Sequence, residues 1–166
     1  HQTVQQVQDF IDTAKPRAII AHSLGAYTAV HILTDRPLML LDPSLTIVDI
    51  ISHNITQYGG MPFYDDGKCR IKLSREFLKS IKTLPPIDKV VGNVKKQAVQ
   101  IFGAERGGYK IAKLYHRHMP HSHYVVLQGT THEFKTKNAR QQILAAIKKR
   151  LDTTSSREED DRTKSW

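Results

Sequence analysis

The side chains best able to do chemistry lie just past four short apolar runs. "RAIIA" gives way to His22-Ser23-Leu24-Gly25, "LMLL" to Asp42, "AVQIF" to "GAE" with Glu105, and "YVVLQ" to "GTTH" with His132. A serine, an imidazole and a carboxylate are the ingredients of nucleophilic acyl transfer. The serine hydroxyl is a poor nucleophile at neutral pH. It needs a base to take its proton, a third group to orient that base, and N–H donors for the oxyanion that forms at an attacked carbonyl. An abrupt turn from strand to helix lifts a serine clear of a sheet and brings helix N–H groups beside it.

The elements around these residues follow from periodicity. Val4, Val7, Phe10, Ile11 and Ala14 recur at helical spacing over residues 2–14, and Lys15-Pro16 stops that helix. "RAIIA", "LMLL", "AVQIF" and "YVVLQ" are continuous apolar runs, as in strands buried on both faces. Helices are expected at "AYTAVHIL", around "YKIAKLYHRH", and from roughly Lys137 to Leu151. Between Ser44 and Lys96 the pattern is less regular. Leu45, Val48, Ile51 and Ile55 suggest one helix, Phe77, Leu78, Ile81 and Leu84 another, and "YGGMPFYDDGKC" a turn-rich loop. The tail 152–166 has no apolar period and is expected to be flexible.

Strands alternating with helices imply an α/β fold, a parallel sheet with helices on both faces. In such sheets reacting groups gather at the carboxyl ends of the strands. That rule brings His22, Ser23, Asp42, Glu105 and His132 to one rim.

The segment "AIIAHSLGAYTAV" resembles the nucleophile elbow of the α/β-hydrolase family in an A-x-S-x-G form, with Ala21 and Gly25 as the small residues that a crowded turn would require. "YVVLQGTTHEF" resembles that family's last strand and histidine loop. The resemblance implies Ser23 as nucleophile, His132 as general base and the Leu24 N–H as one oxyanion donor. It favours Glu105 as the acid, with Asp42 as the alternative. It implies a serine hydrolase that cleaves an ester or thioester through an acyl-enzyme, with no cofactor and no metal. The other reading is a catalytically inactive, hydrolase-like module serving a larger assembly.

The resemblance covers the C-terminal half of the family fold, with 44–96 as a helical cap-like insertion in a domain of residues 1–151. Met61, Phe63 and Phe77 of that insertion could line an acyl pocket. The N-terminal strands and the loop carrying a second oxyanion donor have no counterpart here. Activity is therefore expected to require a preceding portion. The edge of the Ser23 strand is expected to be covered by a second polypeptide or a second copy.

Composition narrows the remaining classes. The 166 residues carry a formal charge of +9, but the lysines and arginines are dispersed and make no aromatic-interleaved stripe, which argues against nucleic acid. No apolar run approaches the length of a membrane span. A single cysteine, Cys69, rules out an internal disulfide and suits a cytoplasmic protein. His116, His118, His121 and His123 lie close in sequence, but Pro120 divides them into two pairs, and an exposed loop is expected rather than a metal site.

Overall fold

The computed structural model describes residues 2–46, 54–58, 61–65, 67, 70–85, 87–91, 94 and 98–163, the last eleven of them as backbone only. Val48, Ile51 and Cys69 lie outside the described residues. Helix α1 (Gln2–Ala14) leads into β1 (Ile19–His22), α2 (Leu24–Ala29) and β2 (Leu38–Leu41). A second group follows: β3 (Ile55–Tyr58), β4 (Met61–Asp65), β5 (Arg70–Lys72), α3 (Arg75–Lys82) and α4 (Ile87–Val91). The chain then forms β6 (Ala98–Gly103), α5 (Gly108–His118), β7 (His123–Leu127) and α6 (Lys137–Thr163).

Four strands make one sheet in the order β1-β2-β6-β7, and every pairing within it is parallel. Alternation along the strands sends side chains to two cores. Leu38, Leu40, Ala98 and Phe102 pack on one face with Ala26 and Tyr27 of α2, Val90 and Val91 of α4, and Ala112 and Tyr115 of α5. Val99 and Ile101 pack on the other with Leu127, Phe134, and Ala139 and Ile143 of α6. Among the described residues Tyr115, Phe102, Met39, Leu40 and Ile101 are the largest fully buried side chains. Each stabilises the fold by roughly 1.5–3 kcal/mol relative to exposure. The four apolar runs are therefore the strands of this sheet, but only its inner strands, β2 and β6, are buried on both faces. The outer strands β1 and β7 each expose one face, with Ile20 and Val125 exposed, so the expectation of burial on both faces fails for these two.

The segment between β2 and β6 departs from the expected helical insertion. Ile55 lies in a strand, and β3, β4 and β5 form a three-stranded antiparallel sheet. The stretch expected to be turn-rich loop contains β4, in which Phe63 and Tyr64 face Lys72 and Ile71 across the ladder. Gly59-Gly60, the two residues between the paired Tyr58 and Met61, is a hairpin signal. The helix expected around Phe77 is present as α3, with Ser74 capping it through a 3.0 Å bond from the Phe77 N–H.

The last helix also differs from expectation. It continues beyond Leu151 to Thr163, where the sequence pattern suggests a structureless tail. Only Arg157, Glu158, Glu159 and Arg162 of this extension have good helix propensity, so it continues a helix already nucleated by the packed turns before it rather than one that its own composition would start. Among the described residues no helix is long and apolar enough to cross a membrane.

Candidate active site

Ser23 sits where β1 becomes α2. Its backbone has φ 54° and ψ −122°, a conformation that non-glycine residues rarely adopt. The strain is held by hydrogen bonds on both sides. The Ser23 N–H donates to Leu41 O at 3.0 Å, while its carbonyl accepts from Ala26 N–H and Ser44 N–H, each at 3.1 Å. The turn is thus tied to β2, to the new helix and to the loop after β2. Ser23 makes no side-chain cap bond to α2, so its hydroxyl is not spent on the helix.

The crowded turn expected around Ala21 and Gly25 does not account for the glycine. A Cβ built at Gly25 meets nothing within 4 Å.

The loop after β2 carries Asp42, which is 7% exposed and has φ 40°. Its N–H donates to Ile101 O at 2.6 Å, fixing the backbone against β6. Further along this loop the Tyr115 hydroxyl, buried beneath it, accepts from the N–H of Leu45 at 3.0 Å and of Thr46 at 3.3 Å. Burial pushes the Tyr115 phenol above its ordinary value, and the Asp42 charge adds to that; the bonds from Thr46 and Leu45 oppose it. The phenol therefore remains a neutral acceptor for this loop.

The loop after β7 carries His132. Thr130, 1% exposed, anchors that loop by donating its hydroxyl to Leu127 O at 2.7 Å. Gly103, at the end of β6, lies directly beneath it: a Cβ there would come within 2.7 Å of Thr130 O and 2.8 Å of Thr131 O. Only glycine allows this approach.

These loops bring three side chains into line. His132 Nδ1 is 2.6 Å from Asp42 Oδ2, and His132 Nε2 is 2.9 Å from Ser23 Oγ. A carboxylate can only accept, so Nδ1 carries the imidazole proton and Nε2 presents its lone pair to the serine hydroxyl. Ser44 stands beside the pair, its Oγ 3.4 Å from Ser23 Oγ.

Glu105, the acid favoured from sequence, does not occupy this place. It lies in a 3-10 turn after β6 with its side chain exposed. Its contribution to the histidine loop is a backbone one, an N–H donated to Thr130 O at 3.2 Å. Asp42 takes the position because β2 lies between β1 and β6, so its carboxyl end opens between the serine and the loops beyond.

Sequence reasoning assigns no role to Tyr115, Ser44 or His22. His22 donates from Nε2 to the His132 carbonyl at 2.8 Å, and its ring lies 4.8 Å from the His132 ring. Its place immediately before Ser23 is the available signal. Among the described residues no group of three His, Cys, Asp or Glu side chains could hold a metal ion. Of the histidine cluster, His116 instead packs edge-on against Tyr124 at 5.4 Å.

The architecture is shared with solved structures. Est1E from Butyrivibrio proteoclasticus is 17% identical, with a TM-score of 0.56 over 87% of this chain and 69% of that one. A carboxylesterase structure from the ammonia-oxidizing thaumarchaeon Nitrososphaera gargenis is 13% identical, with a TM-score of 0.57 over 92% of this chain and 72% of that one. The chain shares the fold of these two structures. No family model matches it, and no similar protein is found among curated sequences.

Proposed function

We propose that this protein is an α/β-hydrolase-like serine esterase, acting on a carboxylic ester or thioester through an acyl-enzyme. One observation carries the reading: the Asp42–His132–Ser23 line, with hydrogen bonds of 2.6 and 2.9 Å at the carboxyl ends of three parallel strands. The fold shared with the two solved structures supports it.

In this reading His132 Nε2 takes the Ser23 hydroxyl proton as Oγ attacks the carbonyl carbon. Asp42 holds the imidazole in the Nδ1–H tautomer and stabilises the imidazolium that forms. The oxyanion accepts from the Leu24 N–H. Leu24 is the first residue of α2, and the first N–H groups of a helix have no partner within it. Collapse of the tetrahedral adduct expels the alkoxide or thiolate, which leaves with the proton from Nε2. Water then loses a proton to His132 and attacks the acyl carbonyl. Departure of Ser23 Oγ, reprotonated by His132, releases the acid. Met61, Phe63 and Phe77 of the β4–α3 region are the candidates for acyl contact.

Labelling with a fluorophosphonate tests the reading, because the reagent phosphonylates a serine only when a base activates it. Labelling at Ser23, lost in Ser23→Ala and strongly slowed in His132→Gln, is expected. A folded protein that does not label at Ser23 would instead support a hydrolase-like module without catalytic activity.

A further inference from the structure

The dipeptide His22-Ser23 grips residue 132 twice. Through the Ser23 side chain it meets the imidazole of His132; through the His22 side chain it meets the His132 carbonyl, which accepts from His22 Nε2–H at 2.8 Å. A carbonyl oxygen cannot donate, so the neutral His22 ring must be the Nε2–H tautomer. We infer that His22 is a positioning residue: it locks the backbone of the base onto the strand that carries the nucleophile. The inference deepens the esterase reading and rests on it.

Geometry supports the assignment from three directions. Strand alternation sends Ala21 and His22 to opposite faces, and His22 emerges on the side of Phe134, whose ring meets it edge-on at 6.0 Å and 65°. Phe134 is buried at 6% exposure, and its φ of 49° turns the chain back just after His132. The His22 ring also lies against the His132 ring, tilted by 37°. The histidine loop is therefore held by Thr130 on its entering side, by Phe134 on its leaving side and by His22 at the base itself.

The consequence is catalytic rather than architectural. His22 is exposed, so its replacement removes little buried surface. Yet the bond holds the carbonyl next to the Cα from which the His132 side chain projects. The imidazole must reach two partners at 2.6 and 2.9 Å, and rotation about its side-chain bonds cannot restore both after a backbone shift. Misplacement by about 1 Å costs on the order of 100-fold in rate.

Three variants separate the hydrogen bond from the ring packing. His22→Gln keeps an N–H donor near Nε2 without the ring. His22→Phe keeps the ring without the donor, and His22→Leu removes both in a side chain suited to an exposed strand end. The expected result is that Phe and Leu each lower the fluorophosphonate labelling rate, and kcat on a small p-nitrophenyl ester, by roughly 10- to 100-fold with KM little changed. Gln should stay within about threefold of wild type, as a retained donor predicts. Thermal unfolding midpoints should stay together across the set.

A second readout does not depend on turnover: the downfield proton resonance of His132 Nδ1–H, which reports the bond to Asp42. It should persist in His22→Gln and broaden or vanish in His22→Phe and His22→Leu. Equal labelling rates in all variants, or loss in Gln with retention in Phe, would overturn the inference. If wild-type protein fails to label Ser23, the esterase reading is overturned. The positioning role then stands or falls on the proton resonance alone.

Discussion

Asp42, at the end of the second strand, holds Nδ1 of His132 at 2.6 Å, while Glu105, just past the end of β6, turns its carboxylate to solvent. Removing each carboxylate separates the two roles. Asp42→Asn places an amide against Nδ1, where its NH2 favours the wrong imidazole tautomer. Loss of about 10³- to 10⁴-fold in kcat is expected. Glu105→Gln leaves the backbone bond to Thr130 intact and should change kcat by less than about threefold. The check is kcat/KM on a p-nitrophenyl ester; a severe loss in Glu105→Gln with little loss in Asp42→Asn would reverse the assignment.

Ser23, His132 and the four core strands are legible because each has a local signature. An apolar run such as "LMLL" suits a strand buried on both faces, and a serine set between such a run and a helix falls at the strand-to-helix turn. The choice of acid has no such signature. Asp42 and Glu105 both follow a strand, and the decision lies in strand order and in a positive φ at Asp42. The small sheet is hidden for another reason. Met61–Asp65 is short, carries a proline, and is flanked by glycines and acidic residues that read as turns. Its hydrogen bonds to β3 and β5 make it a strand, and pairing is not written in a single segment.

Two glycines beside the site should respond in opposite directions. Gly25 lies in α2 with open space where a Cβ would project, so Gly25→Ala should be tolerated and stabilise by roughly 0.5–1 kcal/mol. Gly103 lies under the histidine loop, and its Cβ would strike the backbone oxygens of Thr130 and Thr131. Gly103→Ala should lower stability by about 1–3 kcal/mol and displace His132. Denaturant unfolding of both variants, with labelling at Ser23, tests the pair. A destabilised Gly25→Ala together with a neutral Gly103→Ala would contradict it.

Tyr115 links the core to the loop that carries Asp42. Tyr115→Phe leaves the N–H groups of Leu45 and Thr46 without their acceptor, at a cost of about 1–3 kcal/mol. Its titration adds a second signature. The folded phenol is held above the ordinary value of 10.0, chiefly by burial. Between that value and the higher folded one, the unfolded chain has released a proton that the folded chain still holds. Stability from this group is therefore complete below pH 10.0 and declines as pH rises above it. Unfolding free energy against pH should fall less steeply there in Tyr115→Phe than in wild type. Parallel curves would assign the alkaline loss to other groups.

The outer edge of β1 bears on how the chain exists in solution. β2 pairs with one side of β1, and among the described residues no strand pairs with the other. On that strand Ile20 is 51% exposed, and Leu24 just beyond it is 52% exposed. Unpaired backbone groups beside exposed apolar side chains form a template for another chain. Residues 1–166 alone are therefore expected to self-associate, through a second copy laid along β1. Ile20→Lys should reverse this, because a charge on an edge strand opposes pairing without disturbing the opposite face. Sedimentation velocity reads the outcome directly. A wild-type chain that stays monomeric at every concentration would sink the edge as an interface, as would association undiminished in Ile20→Lys.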